Sequence, residues 1–410
     1  MSRATTRGSH AGDAPRASWR GLPGSIWVLG LGSLCMDASS ELIHSLLPVF
    51  LVQSLGASIV EIGVIEGVAE GTAAALKVVS GALSDRLGRR KRLMVLGYAL
   101  AAATKPVFPL ARSVGSVFGA RFVDRVGKGI RGAPRDALVA DITPPALRGA
   151  AYGLRQALDS VGAVVGPLLA LGAMVWLADD IRSVLWVATL PALVAVALLA
   201  IWVREPERSD TQQERPPLRL ADARRLPRSY WLVVALGALF TLARFSEAFL
   251  VLRAQDVGLA THWVPLVFVV MNAFYAGAAY PAGAAADRTS RSRLLLVGVA
   301  LLVAADLLLA AAASPRLVFA GSAFWGLHMA FTQGLLAKLV ADTAPADLRG
   351  TGFGIFNLVS GGALLLASLV AGALWSAIGP AATFLAGASF ATVASLGLAV
   401  AILRRRPHAA

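Results

Sequence analysis

The sequence predicts an all-α integral membrane protein of about twelve transmembrane helices, arranged as two pseudo-symmetric six-helix bundles. Three observations carry this. Of the 410 residues 57% are hydrophobic and 15% charged, mean hydropathy is +0.68, and the apolar runs are long enough to cross ~30 Å of hydrocarbon. The basic residues gather in alternate turns, the pattern of a multi-span chain with one face in the cytoplasm. And the two halves repeat: Val139-Ala140-Asp141-Ile142-Thr143-Pro144-Pro145-Ala146-Leu147-Arg148-Gly149 returns as Val340-Ala341-Asp342-Thr343-Ala344-Pro345-Ala346-Asp347-Leu348-Arg349-Gly350, offset by 201 residues. Asp85-Arg86 returns as Asp287-Arg288 at an offset of 202, and Ser40-Glu41 as Ser246-Glu247 at 206. Near-constant offsets at three separate places are what a duplicated six-helix unit produces.

Taken in order, residues 1–23 are polar and arginine-bearing and lack a small-residue cleavage site after a short apolar core, so they read as a disordered cytoplasmic arm. The first bundle spans 24–203: helices at about Ser25–Val52, Ser58–Leu83, Leu93–Leu110 (with Pro106 and Pro109 bending its outer end), Val114–Ala140, Ala150–Leu177 and Ser183–Val203. From 204 to 229 Arg, Glu, Pro and Gln replace apolar residues, the composition of a cytoplasmic linker. Six more runs fill a second bundle over 230–403: Tyr230–Val257, Trp263–Ala286, Leu294–Ala313, Leu317–Ala341, Thr351–Trp375 and Ala381–Leu403. A tail over 404–410 opens on Arg404-Arg405-Arg406. Turns such as Ser54–Ala57, Gly258–His262 and Ser376–Pro380 carry no Lys or Arg, whereas the intervening turns and both termini do, which predicts both ends inside.

The formal net charge of +14 and a pI near 11.0 would point a soluble protein toward nucleic acid. Here the cations are accounted for by positive-inside orientation, and no nucleic-acid partner is expected. The single cysteine, Cys35, excludes an intrachain disulfide, and five histidines without a Cys/His cluster give no metal site and call for no cofactor.

The stretch Gly81-Ala82-Leu83-Ser84-Asp85-Arg86-Leu87-Gly88-Arg89-Arg90-Lys91-Arg92-Leu93 reads as a short charged turn between helices 2 and 3. It resembles the signature loop of the major facilitator superfamily of transporters, with every fixed position filled. The resemblance covers residues 25–403 and implies a secondary transporter with a substrate site between the bundles near the midplane. It also implies that Gly81, Asp85, Arg86, Gly88, Arg89 and Arg90 govern conformation, Asp85 docking on a helix N-terminus, for instance the start of helix 11. Helix 4 matches the family's Arg-x-x-Gln-Gly-x-Gly only at Arg121 and Gly127; Asp124 and Arg125 stand where Gln and Gly are usual. The family's arginine role in proton handling therefore carries over to Arg121 alone. In helix 5, Gly162-x-x-x-Gly166-Pro167 looks like the antiporter signature, but Ala170 and Leu171 replace two glycines, and small-residue helix packing explains the stretch as well.

Charges within membrane helices each cost at least ~2.5 kcal/mol on insertion scales, so each needs a reason. Asp37, Glu41 and His44 share one face of helix 1; Glu66 and Glu70 lie four apart on helix 2, followed by Lys77. Helix 4 carries Arg121, Asp124, Arg125, Lys128 and Arg131, and helix 5 Arg155 and Asp159. Glu41, Glu70, Arg125 and Lys128 fall near the midplane. Static ion pairs would lock the bundle; alternatively an acid exchanges protons as its cationic partner is lent or withdrawn, which names Asp37, Glu41, Glu70, Asp124, Arg121, Arg125 and Lys128 as the proton-coupling set. Glu41 is expected within reach of Arg125 or Lys128. The substrate cavity is expected to draw on His44, Arg155, Asp159, Arg244, Glu247, Asn272, Tyr275, His328, Gln333 and Asn357, with aromatics such as Phe245 and Trp325 on the second bundle's side.

The expected protein is thus a monomeric, proton-coupled exporter of a small organic molecule in a bacterial inner membrane, its partners being that substrate, protons and the bilayer. A proton-driven importer of a metabolite or chelate, or a sensor derived from the fold, are the alternatives. An enzyme has no nucleophile–base pair or metal cluster to rest on, and a primary pump would need a Gly-x-x-x-x-Gly-Lys-Ser/Thr loop the chain lacks.

Overall fold

The computed structural model describes residues 21–87, 89–205, 220–345 and 348–404. Most of the N-terminal arm, Gly88, residues 206–219 of the linker and the tail from 405 lie outside the described residues, as do the side chains of Asp85, Arg86 and Gln333. The described residues form helices and no strands, grouped into twelve spans. In the first half these are α1 (Gly24–Val49, ending in a π-turn, Phe50–Ser54), α2 (Ile59–Leu87), α3 (Arg90–Thr104, resumed by Val107–Leu110), α4 (Val114–Ile142), α5 (Arg148–Trp176) and α6 (Ile181–Val187 and Thr189–Trp202). The second half holds α7 (Arg228–Leu242 and Ala248–Asp256), α8 (Leu266–Arg288), α9 (Arg291–Ala310), α10 (Pro315–Thr343), α11 (Arg349–Ala377) and α12 (Pro380–Arg404).

Among the described residues, eight helices are long and apolar enough by themselves to cross a membrane. The spans that fall short include α2 and α4, which carry the buried charges, and α7, which is broken. The lipid-facing surface is apolar, with Leu190, Ile201 and Leu396 exposed, and Trp176, Trp202, Trp231 and Trp263 stand exposed near span ends, where amphipathic rings favour the interface.

Three expectations change. The charged turn at Gly81 is shorter than expected: α2 continues to Leu87 and α3 begins at Arg90, so Gly81 and Asp85 are helical. Gly81 faces α4, where a Cβ would make an ordinary contact with Ala133 at 3.4 Å, so it lies on a helix–helix contact rather than in a turn. Arg90 ion-pairs with Asp141 at the end of α4, and its amide donates to Glu205 Oε1 at 2.6 Å. Second, α7 is not one run. It unwinds over 243–247, and its second segment is capped by Ser246, whose Oγ accepts from the Ala248 amide at 3.2 Å. Third, the alternation of basic turns is a bias rather than a rule: Arg112, Arg182 and Arg316 sit on the other face. Arg182 is held there by the carbonyls of Pro109 and Ala111 at 2.8 and 2.7 Å.

The bundles meet along α2 and α11 through small residues that let backbones nearly touch. A Cβ on Gly63 would lie 2.5 Å from the Ser368 carbonyl oxygen, and one on Gly361 2.7 Å from Ala74 Cβ. On the side away from the arginine-rich turns, α1 also packs on the second half of α7, and His44 meets Phe268 of α8 edge-on at 5.0 Å. That side is closed. Gly63→Val is therefore expected to wedge it open, read as a several-fold faster reaction of a cysteine placed at Leu250, fully buried here, with an impermeant thiol reagent in a Cys35→Ala background. Unchanged labelling would mean that the α2–α11 contact does not hold the seal.

Candidate functional site

Between the bundles, on the side of the arginine-rich turns, lies a cavity of about 670 Å³ lined by α1, α2, α4 and α5 on one wall and α7, α10 and α11 on the other. A narrower recess of about 200 Å³ continues it toward the closed side. The first wall is ionic, with Asp37, Glu41, Glu70, Lys77, Lys128, Arg131, Arg135 and Asp159. The second is mixed, with Phe240, Arg244, His328, Leu336, Phe356 and Asn357.

Behind the ionic wall, each helix supplies charges at helical spacing, and they interlock in layers. Arg121 of α4 grips Glu66 of α2 with two nitrogens, Nε at 3.1 Å and Nη2 at 2.8 Å, both residues almost fully buried. One turn on, Arg125 reaches Glu70 at 3.2 Å. Asp124 faces the other way and takes Lys105 of α3 at 2.9 Å, which also donates to Ser40 at 3.1 Å. Toward the arginine-rich side, Arg131 lies 3.7 Å from Asp37 and stacks over Tyr98 at 4.5 Å. Arg135 donates to Ser33 at 2.9 Å and sits 3.8 Å from Asp159, which Arg155 holds at 2.7 Å.

Glu41 departs from expectation. Arg125 is taken by Glu70 and Asp124, and the ion-pair neighbour of Glu41 is His44, Nδ1 to Oε2 at 3.6 Å. The other face of that imidazole, Nε2, lies 3.3 Å from Glu66 Oε2. Glu41, His44 and Glu66 thus form a carboxylate–imidazole–carboxylate line, with one imidazole nitrogen turned to each acid. Glu41 stands at its cavity end, with its side chain 24% exposed; Glu66 at 2% is its dry end. Beyond Glu66, Ser246 of the α7 break donates to Oε2 at 3.4 Å, so the line reaches the second bundle. Lys128 forms no ion pair within 4 Å among the described residues, although it lines both cavity and recess.

Of the residues expected from sequence, Asp37, Glu41, Glu70, Lys128, Asp159, Arg244, His328 and Asn357 line the cavity, and His44, Arg125, Glu247 and Asn272 the recess. Asn272 also bridges the bundles, donating to the Ala163 carbonyl at 3.1 Å. Glu41 and Glu247, related by the repeat, both face the recess. Arg121 and Asp124 are buried behind the wall, Arg155 is spent on Asp159 and Asp136, and Tyr275 is half-buried on α8. His328 directs Nδ1 to the Gly298 carbonyl at 2.8 Å. Sequence reading missed Lys105 and Arg135 and left Glu66 out of the named proton-coupling set. A lone lysine within an apolar span was itself the signal for Lys105. The helix-5 glycines prove to be packing elements: Cβ atoms at Gly162 and Gly166 would lie 2.6 and 2.5 Å from carbonyls of α1, and 3.1 and 2.9 Å from the Cβ atoms of Asp37 and Glu41. They seat the two acids of α1 against α5.

Two bundles, a cavity between them and a closed opposite side are the anatomy of a carrier. The family model for the Major Facilitator Superfamily matches residues 29–263 and 244–410. The chain belongs to that superfamily. A Methanocaldococcus jannaschii protein named an uncharacterised MFS-type transporter is 31% identical over 384 residues, 92% of this chain and 94% of that one. A multidrug resistance protein of Edwardsiella ictaluri is 26% identical over 344 residues, covering 82% of this chain and 84% of its own. In fold, a bacterial homologue of the lysosomal transporter Spinster, in an inward-facing unoccupied conformation, superposes with a TM-score of 0.71 at 16% identity, over 95% of this chain and 96% of its own. The protein is a multi-pass membrane transporter.

Proposed function

We propose that this transporter exports a small amphipathic organic molecule in exchange for protons, alternating the access of the cavity between the two faces, and that it does so from a bacterial inner membrane with both termini in the cytoplasm. The observation that carries this reading is the line Glu41–His44–Glu66: an acid at the cavity wall, an imidazole between two carboxylates, and a dry carboxylate touching the other bundle. In the conformation described, protons enter Glu41 from cavity water only. When the bundles rock and the closed side opens, Ser246 and Phe268 leave His44 and Glu66, and the same protons face the opposite solution. The wall chemistry supports the substrate class: apolar groups on the second bundle with Arg244 and Lys128 across the recess suit a solute with one polar end. The similarity to a multidrug resistance protein supports export.

The deciding experiment is transport of a panel of amphipathic compounds in everted vesicles with an imposed proton gradient. Accumulation that follows the gradient and collapses with a protonophore is expected; accumulation indifferent to it would end the proton-coupled reading. Orientation is tested separately: reporters fused after Arg92, Arg225 and Arg406 are expected to face the cytoplasm, and those after Ala57 and His262 the outside.

A further inference from the structure

Away from that line, α9 buries an acid the transport reading does not use. Asp306 has no solvent exposure, and neither of its carboxyl oxygens finds a hydrogen-bond partner among the described residues. It points into a gap made by a missing side chain. A Cβ on Gly387 of α12 would lie 2.7 Å from Asp306 Oδ2, 3.1 Å from the Phe245 ring and 3.2 Å from the Ala243 carbonyl oxygen. Ala243 and Phe245 belong to the unwound stretch of α7, where the helix no longer supplies the Glu247 amide to the Ala243 carbonyl.

Among the described residues the surroundings hold no countercharge. Between Pro380 and Leu403 α12 has no titratable residue. On α10, His328 is turned to the Gly298 carbonyl, two turns of α9 away from Asp306, and Trp325 adds only an indole N–H, also without an acceptor. On α7, Arg244 and Glu247 flank the gap, lie 3.9 Å from each other and face the recess. Apart from Asp306, the charged residues of α8 and α9 are at the ends of these helices, Asp287 and Arg288, Arg291 and Arg293. Phe245, Trp325 and Phe384 complete an apolar shell, with Phe245 5.6 and 5.5 Å from the other two rings. An ionised carboxylate would be stranded there, and too few oxygens converge to dress a metal cation. A carboxylic acid fits, and the Ala243 carbonyl oxygen lines the same gap as an acceptor for its O–H.

We propose that Asp306 is a second proton-binding site, in the second bundle, whose bound proton holds the α7 break in its present form. Protonated, it donates to the Ala243 carbonyl and occupies the acceptor that the break exposes. When the gap opens to the closed-side solution, the O–H bond breaks, the proton passes to water, and a carboxylate is left facing a carbonyl oxygen. That repulsion shifts residues 243–247, and with them Ser246 on Glu66 and the Arg244–Glu247 pair in the recess. The site is distinct from the Glu41 line and stands whether or not Glu41 carries the transported proton.

The test is the infrared spectrum of the purified full-length protein in nanodiscs at neutral pH. A carboxylic-acid C=O band is expected in the wild type, lost in Asp306→Asn, retained in Glu41→Gln and moved in Gly387→Ala, whose methyl would press on Oδ2. Asp306→Asn copies the neutral acid and is expected to melt within a few degrees of the wild type; if it does not fold, the Gly387→Ala shift reads the same group. Identical spectra for the wild type and both variants overturn the proposal. So does a sodium-dependent rise in melting temperature that Asp306→Asn abolishes, which would make the gap a cation site.

Discussion

Arg121→Gln is expected to destabilise the protein by about 3–5 kcal/mol, enough to abolish most folded material in the membrane. Two nitrogens of Arg121 hold Glu66 in a site only 2% exposed, and removing them leaves a buried carboxylate with only His44 and Ser246 beside it. The pair itself need not stabilise the fold, because desolvating both charges offsets most of their attraction; the damage comes from stranding one of them. Glu66→Gln together with Arg121→Gln is therefore expected to restore most of the folded fraction, measured by detergent-solubilised size-exclusion yield and thermal melting. A single variant as stable as the wild type would mean that water or another cation reaches Glu66. A double variant no better than the single would mean that Arg121 acts by packing α4 on α2 rather than by charge.

The largest functional effect is expected at Glu41. A pH difference of one unit is worth about 1.4 kcal/mol per proton coupled, and so drives about tenfold accumulation in a coupled carrier. Glu41→Gln cannot take a proton from the cavity, and accumulation should fall to about onefold while exchange of substrate without a gradient persists. The wild type's position between cavity water and His44 is what makes this residue, rather than the more enclosed Glu66, the entry point. If Glu41→Gln still concentrates substrate in proportion to the proton gradient, the entry acid is elsewhere, Asp37 and Glu70 being the other carboxylates on the same wall. His44→Gln separates relay from entry: loss of coupling there with Glu41 intact places the proton on the imidazole.

The two variants probe different properties of one network. Charges locked in a two-point grip, such as Glu66 and Arg121, report on assembly; charges with one loose partner and a wet face, such as Glu41, are free to titrate. Asp37 and Glu70 lie between these cases, each paired with an arginine at 3.7 and 3.2 Å and each open to the cavity.

By itself the sequence determined the class of molecule and its plan. Apolar runs of spanning length leave a chain no alternative to helices, because unpaired backbone groups have no water to turn to in hydrocarbon. The Asp141/Asp342 repeat, at its fixed offset, divided those helices into two related sets, and helical periodicity put Asp37, Glu41 and His44 on one face. What it left open was which charge meets which. Glu41 looked towards Arg125 or Lys128 because their depths agree, yet Arg125 turns to Glu70 and Asp124 and Lys128 only shares the cavity with Glu41, since depth along a helix says nothing of rotation about it. Lys105 meets Asp124 for the same reason: α3 approaches α4 on the face away from the cavity. The break in α7 was invisible because Ala243-Arg244-Phe245-Ser246-Glu247 contains neither proline nor glycine. It is maintained by tertiary contacts, the Ser246 amide on Ser368 Oγ at 3.3 Å and the Ser246 hydroxyl on Glu66. Spacing fixes faces and depths within one helix. Rotation, pairing and local unwinding are set by what the neighbouring helices present, and only the packed structure decides them.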